Sequence, residues 1–101
     1  MRRQIVVRPE AAADMLEASH WYNERVGSLG TRFLGDIDAV TDSIADSPRQ
    51  FPIYRGEIRR ARVGRFPYGV FFTVAEMRVV VLAVLHLYRD PRHLRKTLRQ
   101  R

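Results

Sequence analysis

Hydrophobic residues recur in two rhythms along this chain, three to four apart up to Pro48 and mostly in short β-type runs after it. Ile5-Val6-Val7 is a β-branched run stopped by Pro9 and predicts a strand over residues 3–8. Pro9 suits the first turn of a helix, with Glu10 and Asp14 near its positive end. Ala12, Met15, Leu16, Ser19, Tyr22 and Val26 then recur at helical spacing, and Gly27 ends the segment. A second helix follows Gly30, capped by Thr31, with an inward stripe of Phe33, Ile37, Val40 and Ile44 and a stop at Pro48. The link between the helices is a few residues, which predicts an antiparallel hairpin.

Beyond Pro48, strands are predicted at Glu57 to Val63, Tyr68 to Val74 and Arg78 to Leu87. Their short separators, Gly64-Arg65-Phe66-Pro67 and Ala75-Glu76-Met77, favour an antiparallel meander. Val79 to Leu85 is apolar at every position, so the last strand is expected to be central and covered on both faces. The helical hairpin can cover one face; for the other the chain offers only the basic tail from Arg89 to Arg101, and this incomplete covering suggests that a partner protein supplies the lid. Leu94 and Leu98 sit four apart in the tail, so residues 92–101 predict a short basic helix that persists only if docked on the sheet or on a partner. The order is β-α-α-β-β-β, an α+β fold in a chain whose length of 101 residues fits a single domain.

Charge divides the chain. Residues 1–54 hold six arginines against eight acids, whereas residues 55–101 hold eleven arginines and Lys96 against Glu57, Glu76 and Asp90. The basic half sums to +9 and attracts a polyanion or an acidic protein. Arginine, which dominates it, grips phosphate or carboxylate through a planar fork that stays charged. There are no cysteines, which excludes disulfides, thiolate metal sites and a cysteine nucleophile. No apolar run suits a signal peptide or approaches the ~20 residues of a membrane span. The expectation is a soluble cytoplasmic protein.

Period-two alternation in residues 57–63 puts Arg60 and Arg62 on one face with Ile58, and Arg59 on the other. Side chains two apart on a strand are separated by about 7 Å, a spacing that suits phosphate oxygens or a partner's carboxylates. Arg65 in the following turn can join them. The competing role for these charges is to protect a sheet edge. His86 ends the last strand and has a reference pKa of ~6.5, which makes it the best general acid or base in the chain. His20-Trp21-Tyr22 reads as core packing, with Trp21 partly exposed, and His93 reads as solvated. Asp36, Asp38, Asp42 and Asp46 read as a solvated helix face. The three histidines lack metal-ligand spacing, so neither a metal nor a cofactor is expected.

The order of elements, together with several segments, carries a family resemblance. The segments are Val7-Arg8-Pro9-Glu10-Ala11, Ala18-Ser19-His20-Trp21-Tyr22, Gly30-Thr31-Arg32-Phe33-Leu34 and Pro48-Arg49-Gln50-Phe51-Pro52. Most telling are Ile58-Arg59-Arg60-Ala61-Arg62-Val63 leading into Arg65-Phe66-Pro67-Tyr68, and Val81-Leu82-Ala83-Val84-Leu85-His86 before Arg89-Asp90-Pro91. The chain resembles the RelE/ParE superfamily, toxins of type II toxin–antitoxin modules often labelled plasmid stabilization proteins. The resemblance implies a growth-inhibiting toxin neutralised by a cognate acidic antitoxin. In the ParE-like branch the target is DNA gyrase. In the RelE-like branch the toxin is a ribosome-dependent messenger-RNA endonuclease, and the resemblance then carries over Arg62, His86, Tyr88 and Arg89 as catalytic. A degenerate, non-toxic antitoxin binder is a further alternative.

RelE-like sites often include lysines on the second and third strands, where this chain has arginines or apolar residues. Arginine is a poor general base. That departure favours the ParE-like branch, in which the histidine before the Arg-Asp-Pro turn is structural. Arg60, Arg62, Arg65, Arg92 and Arg95 are then the expected partner contacts, the first three for antitoxin and the tail for gyrase or the ribosome.

Overall fold

Pro9 fixes where the first helix begins, and the structure builds outward from it. The computed structural model describes residues 2–101, ordered as β1 (Gln4–Val7), α1 (Pro9–Arg25), α2 (Leu29–Asp46), a short 3-10 turn (Pro48–Gln50), β2 (Ile53–Arg55), β3 (Ile58–Arg62), β4 (Tyr68–Val74), β5 (Arg78–His86) and α3 (Pro91–Arg99). The five strands form one sheet in the order β1-β5-β4-β3-β2. All pairs are antiparallel except β1 with β5, because the α1–α2 hairpin and the three following strands separate those two in the chain. The architecture is α+β, with the hairpin packed on one face as expected.

The hairpin side of the sheet holds the larger core. Phe33, Ile37 and Ile44 of α2 pack with Ala61, Val63, Val70, Phe72, Val79 and Val81. Phe33 lies edge-on to Phe66 and Tyr68, with ring centroids 5.1 Å from each. On α1 the inward stripe differs from the sequence reading. Ala12, Leu16 and Val26 are exposed, and Ala11, Met15, Ala18 and Tyr22 face inward. Asp14 shares that inward face, and a carboxylate within an otherwise apolar stripe disguised it.

Two further expectations change. Thr31 is not a cap: α2 begins at Leu29, and Ser28 precedes it in the left-handed region at φ 69°. The hairpin link is tight because Gly30 lies against the Ser19 carbonyl and donates its N–H to Asn23 Oδ1 at 2.7 Å. An edge strand not anticipated, Ile53–Arg55, pairs with β3 and makes the arginine-rich strand second from the edge. It is three residues long with an irregular register, too short to leave a periodic signal.

The second sheet face also has a cover within the chain. Leu94 and Leu98 of α3 are buried against Phe71, Leu82, Ala83 and Leu85. Asp90 caps this helix by accepting the Arg92 N–H at 2.9 Å. The tail is therefore an ordered helix, and the partner-supplied lid is not needed where it docks. β5 is covered on both faces, though β4 rather than β5 is the middle strand. Among the described residues no helix is long and apolar enough to cross a membrane.

Candidate functional site

The arginines of β3 divide between the two faces as the alternation requires. Arg59 turns to the hairpin side and is structural, donating to the Phe51 carbonyl at 2.7 Å. Arg60 and Arg62 turn to the α3 side with Ile58. The Arg60 guanidinium lies 5.3 Å from the Tyr54 ring centroid, a cation–π contact with the edge strand. Arg62 donates to the Tyr88 hydroxyl at 3.4 Å. Arg65 is exposed in the turn after Gly64. Arg92 is exposed and is held by Asp90 at 3.0 Å. Hydrogen bonds from the Arg92 side chain and backbone keep the Asp90 carboxyl below the usual carboxylate range.

A groove of about 360 Å³ runs between the β2–β3 turn and α3. Ile58, Leu82 and Leu98 are among its apolar residues, and Arg55, Arg95 and Arg99 outweigh Glu57 in its charge. Arg55 was not singled out from the sequence, and Arg99 stood there only as one of the tail charges. Arg55 belongs to the unforeseen strand, and Arg99 shares a helical face with Arg95 that only docking defines.

His86 faces the other way. It is cross-strand from Tyr68, with ring centroids 5.2 Å apart, and Tyr68 belongs to the hairpin-side core. Its Nδ1 accepts the Tyr88 N–H at 3.2 Å. That bond leaves Nδ1 without a proton, so the neutral ring carries its proton on Nε2. Arg62 and His86 thus lie on opposite faces of the sheet, with Tyr88 at the sheet end between them, its ring 5.9 Å from His86. Arg89 is on the His86 side and contacts His93 Nε2 at 3.5 Å. Of the four residues carried over for a nuclease, Tyr88 therefore neighbours both Arg62 and His86, which leave the sheet on opposite faces.

The larger cavity, about 730 Å³, opens between α1, the end of β5 and α3. All three histidines line it, a gathering that their spacing in sequence does not reveal. Among the described residues no cluster of ligating side chains suits a metal ion. His20 and Trp21 are exposed here, so of the three neighbours read as core only Tyr22 packs inward. Burial pushes the Tyr22 and Tyr68 phenols up from their ordinary value. For Tyr68, Arg89 opposes that rise, and Glu17 and Asp14 reinforce it.

A hairpin on a five-stranded sheet, with arginines displayed along the α3 side, makes this a small basic α+β domain. Over residues 5–91 the sequence matches the family described as ParE toxin of type II toxin-antitoxin system, parDE. The chain belongs to that ParE toxin family. A solved structure described as the chromosomal ParDE TA system from P. aeruginosa is similar, with a TM-score of 0.75 and 18% identity, covering 85% of this chain and 97% of that one. At that identity the likeness is one of fold. No curated protein matches the chain by sequence.

Proposed function

We propose that this chain is the toxin of a type II module, a single domain that arrests growth by binding DNA gyrase in the cytoplasm and is neutralised by an acidic antitoxin. Family membership supports the toxin reading. The observation that favours gyrase over RNA cleavage is the separation of Arg62 and His86 onto opposite sheet faces. Cleavage through a 2′-hydroxyl requires a base and charge stabilisation at one phosphate. His86 instead has one ring nitrogen committed to the Tyr88 backbone.

For the antitoxin, Arg60, Arg62 and Arg65 offer carboxylate-binding forks, and the apolar groove flanked by Arg55, Arg95 and Arg99 suits an amphipathic acidic segment. Arg92 and Arg95 on α3 are the tail contacts assigned to gyrase.

The test is to induce the chain in cells and follow labelled thymidine and labelled methionine incorporation, with gyrase supercoiling measured on purified protein. DNA synthesis is expected to stop first, with supercoiling inhibited. Early translational arrest with codon-specific messenger-RNA cleavage would assign the RelE-like activity. Unimpaired growth would assign a non-toxic antitoxin binder.

A further inference from the structure

β1 runs beside β5 only as far as Val7, opposite Val81. Immediately beyond, the β4–β5 register slips, with Phe72 opposite Val81 and Phe71 opposite Ala83, so Leu82 is the extra residue of a bulge. The slip is visible in the side chains. Val79, Val81 and Val84 face the hairpin, whereas Val80, Leu82, Ala83 and Leu85 face α3.

Past the bulge, β5 therefore has an edge with no strand beside it. Two side chains partly replace that strand. Asp14 Oδ2 accepts the Val84 N–H at 3.0 Å, and Arg101 Nη1 donates to the Leu82 carbonyl at 3.0 Å. The N–H and C=O of a strand residue point to the same side, and the residue two further on repeats the direction. The Val84 carbonyl and the His86 N–H consequently open on this side, and both residues line the 730 Å³ cleft. Open ladder groups are a template for an added strand.

The cleft walls are unlike. The α1 wall carries Glu17, His20 and Glu24 beside the aromatic rings of Trp21 and Tyr22, and the facing wall carries His93 and Thr97 of α3 with Arg89 from the turn before it. The Arg101 charge is already matched by Asp14 at 2.8 Å. A phosphate-bearing ligand would meet the α1 carboxylates. An extended peptide avoids that conflict, because its alternate side chains point to opposite walls. The exposed Glu17 and Glu24 carboxylates make the α1 wall suit a cationic side chain. The volume lies within the roughly 300–1,000 Å³ common for ligand sites.

We propose that this cleft binds an extended peptide segment by strand addition to the Val84 carbonyl and the His86 N–H, with a basic side chain of the segment against Glu17 and Glu24. The site shares no lining residue with the arginine groove, and it does not depend on gyrase being the target.

The test uses isotope-labelled full chain and the probe acetyl-Arg-Thr-Arg-Thr-Arg-Thr-amide. Its controls are the same peptide N-methylated at alternate residues in either frame, acetyl-Glu-Thr-Glu-Thr-Glu-Thr-amide, and AMP. The probe is expected to shift the Val84 and His86 amide resonances and to slow hydrogen exchange at His86. Methylation in one frame should abolish both effects. Glu17→Gln with Glu24→Gln, both exposed and compatible with the fold, should weaken the probe by about tenfold. Equal binding of both methylated peptides would overturn strand addition, and equal shifts from the glutamate peptide would overturn the charge assignment. Shifts at these amides from AMP but not from the probe would make this a nucleotide site instead, and no shift from any of them would overturn the proposal.

Discussion

Asp14 and Arg101, 87 residues apart, meet at 2.8 Å beneath the junction of α1 and α3, each side chain only 16% exposed. Their polar atoms also take the Val84 N–H and the Leu82 carbonyl, so the pair completes a sheet edge as well as balancing charge. Removing one member leaves a largely buried charge alone, which costs about 3 kcal/mol at the low end for such pairs. Asp14→Asn and Arg101→Met should each lower stability by that amount in urea unfolding. The double variant should lose less than the sum, because the two changes remove one shared interaction.

Gly30 sets how closely the two helices approach. A Cβ there would collide with the Ser19 carbonyl and with Asn23. Backbone cannot swing aside as a flexible side chain can, so overpacking of about 1–3 kcal/mol is expected. The better helix propensity of alanine returns up to ~1 kcal/mol. Gly30→Ala should therefore lower the melting temperature, whereas Gly35→Ala, with open space at its Cβ, should raise it or leave it unchanged.

Much of this fold was legible because its periods are local. The stripe Phe33, Ile37 and Ile44 and the alternation Ile58, Arg60 and Arg62 each declare a face without knowledge of the partner element. The features that escaped are those set by distant residues. Asp14 reads as a helix-start acid until Arg101 folds back to it, and Leu82 reads as one more apolar strand residue until its register with β4 exposes the bulge. The α1 stripe was misread for the same reason. The faces of individual arginines were legible, but the relation between Arg62 and His86 was not. Nothing local says that Arg62 and His86 end on opposite faces, since that follows from the pairing of Arg62 with Gly69 and of Gly69 with Leu85, the neighbour of His86.

The two core phenols make stability sensitive to alkali. Burial raises the Tyr22 and Tyr68 pKa values in the folded chain, so folding favours the neutral form. The contribution is complete below the unfolded value of about 10 and is lost as pH rises through the higher folded values. Melting temperature should fall above roughly pH 10, and Tyr22→Phe with Tyr68→Phe should flatten that fall. An unchanged alkaline slope in the double variant would mean that other groups govern it.

Arg60 and Arg62 lie on the α3 side of β3, with Arg65 exposed in the next turn. Reversing two of them, as in Arg60→Glu with Arg65→Glu, should weaken antitoxin binding and reduce its dependence on salt. Calorimetry of the toxin with the protein encoded beside it, at two ionic strengths, measures both effects. Unchanged affinity would remove these arginines from the interface.

His86 gives the sharpest separation between the two possible activities. Its ring packs edge-on against Tyr68 and accepts the Tyr88 N–H, both structural tasks. Glutamine can still accept that N–H through its side-chain oxygen but cannot reproduce the aromatic contact, worth about 0.5–1.5 kcal/mol beyond burial. His86→Gln should accordingly lose stability of that order while arresting growth as strongly as the parent chain. Induction of the variant, with primer-extension mapping of cellular messenger RNA and a thermal melt of the purified protein, tests both parts. A variant that stays folded yet loses both growth arrest and a cleavage pattern seen with the parent would give His86 a catalytic role and move the toxin to the ribosome.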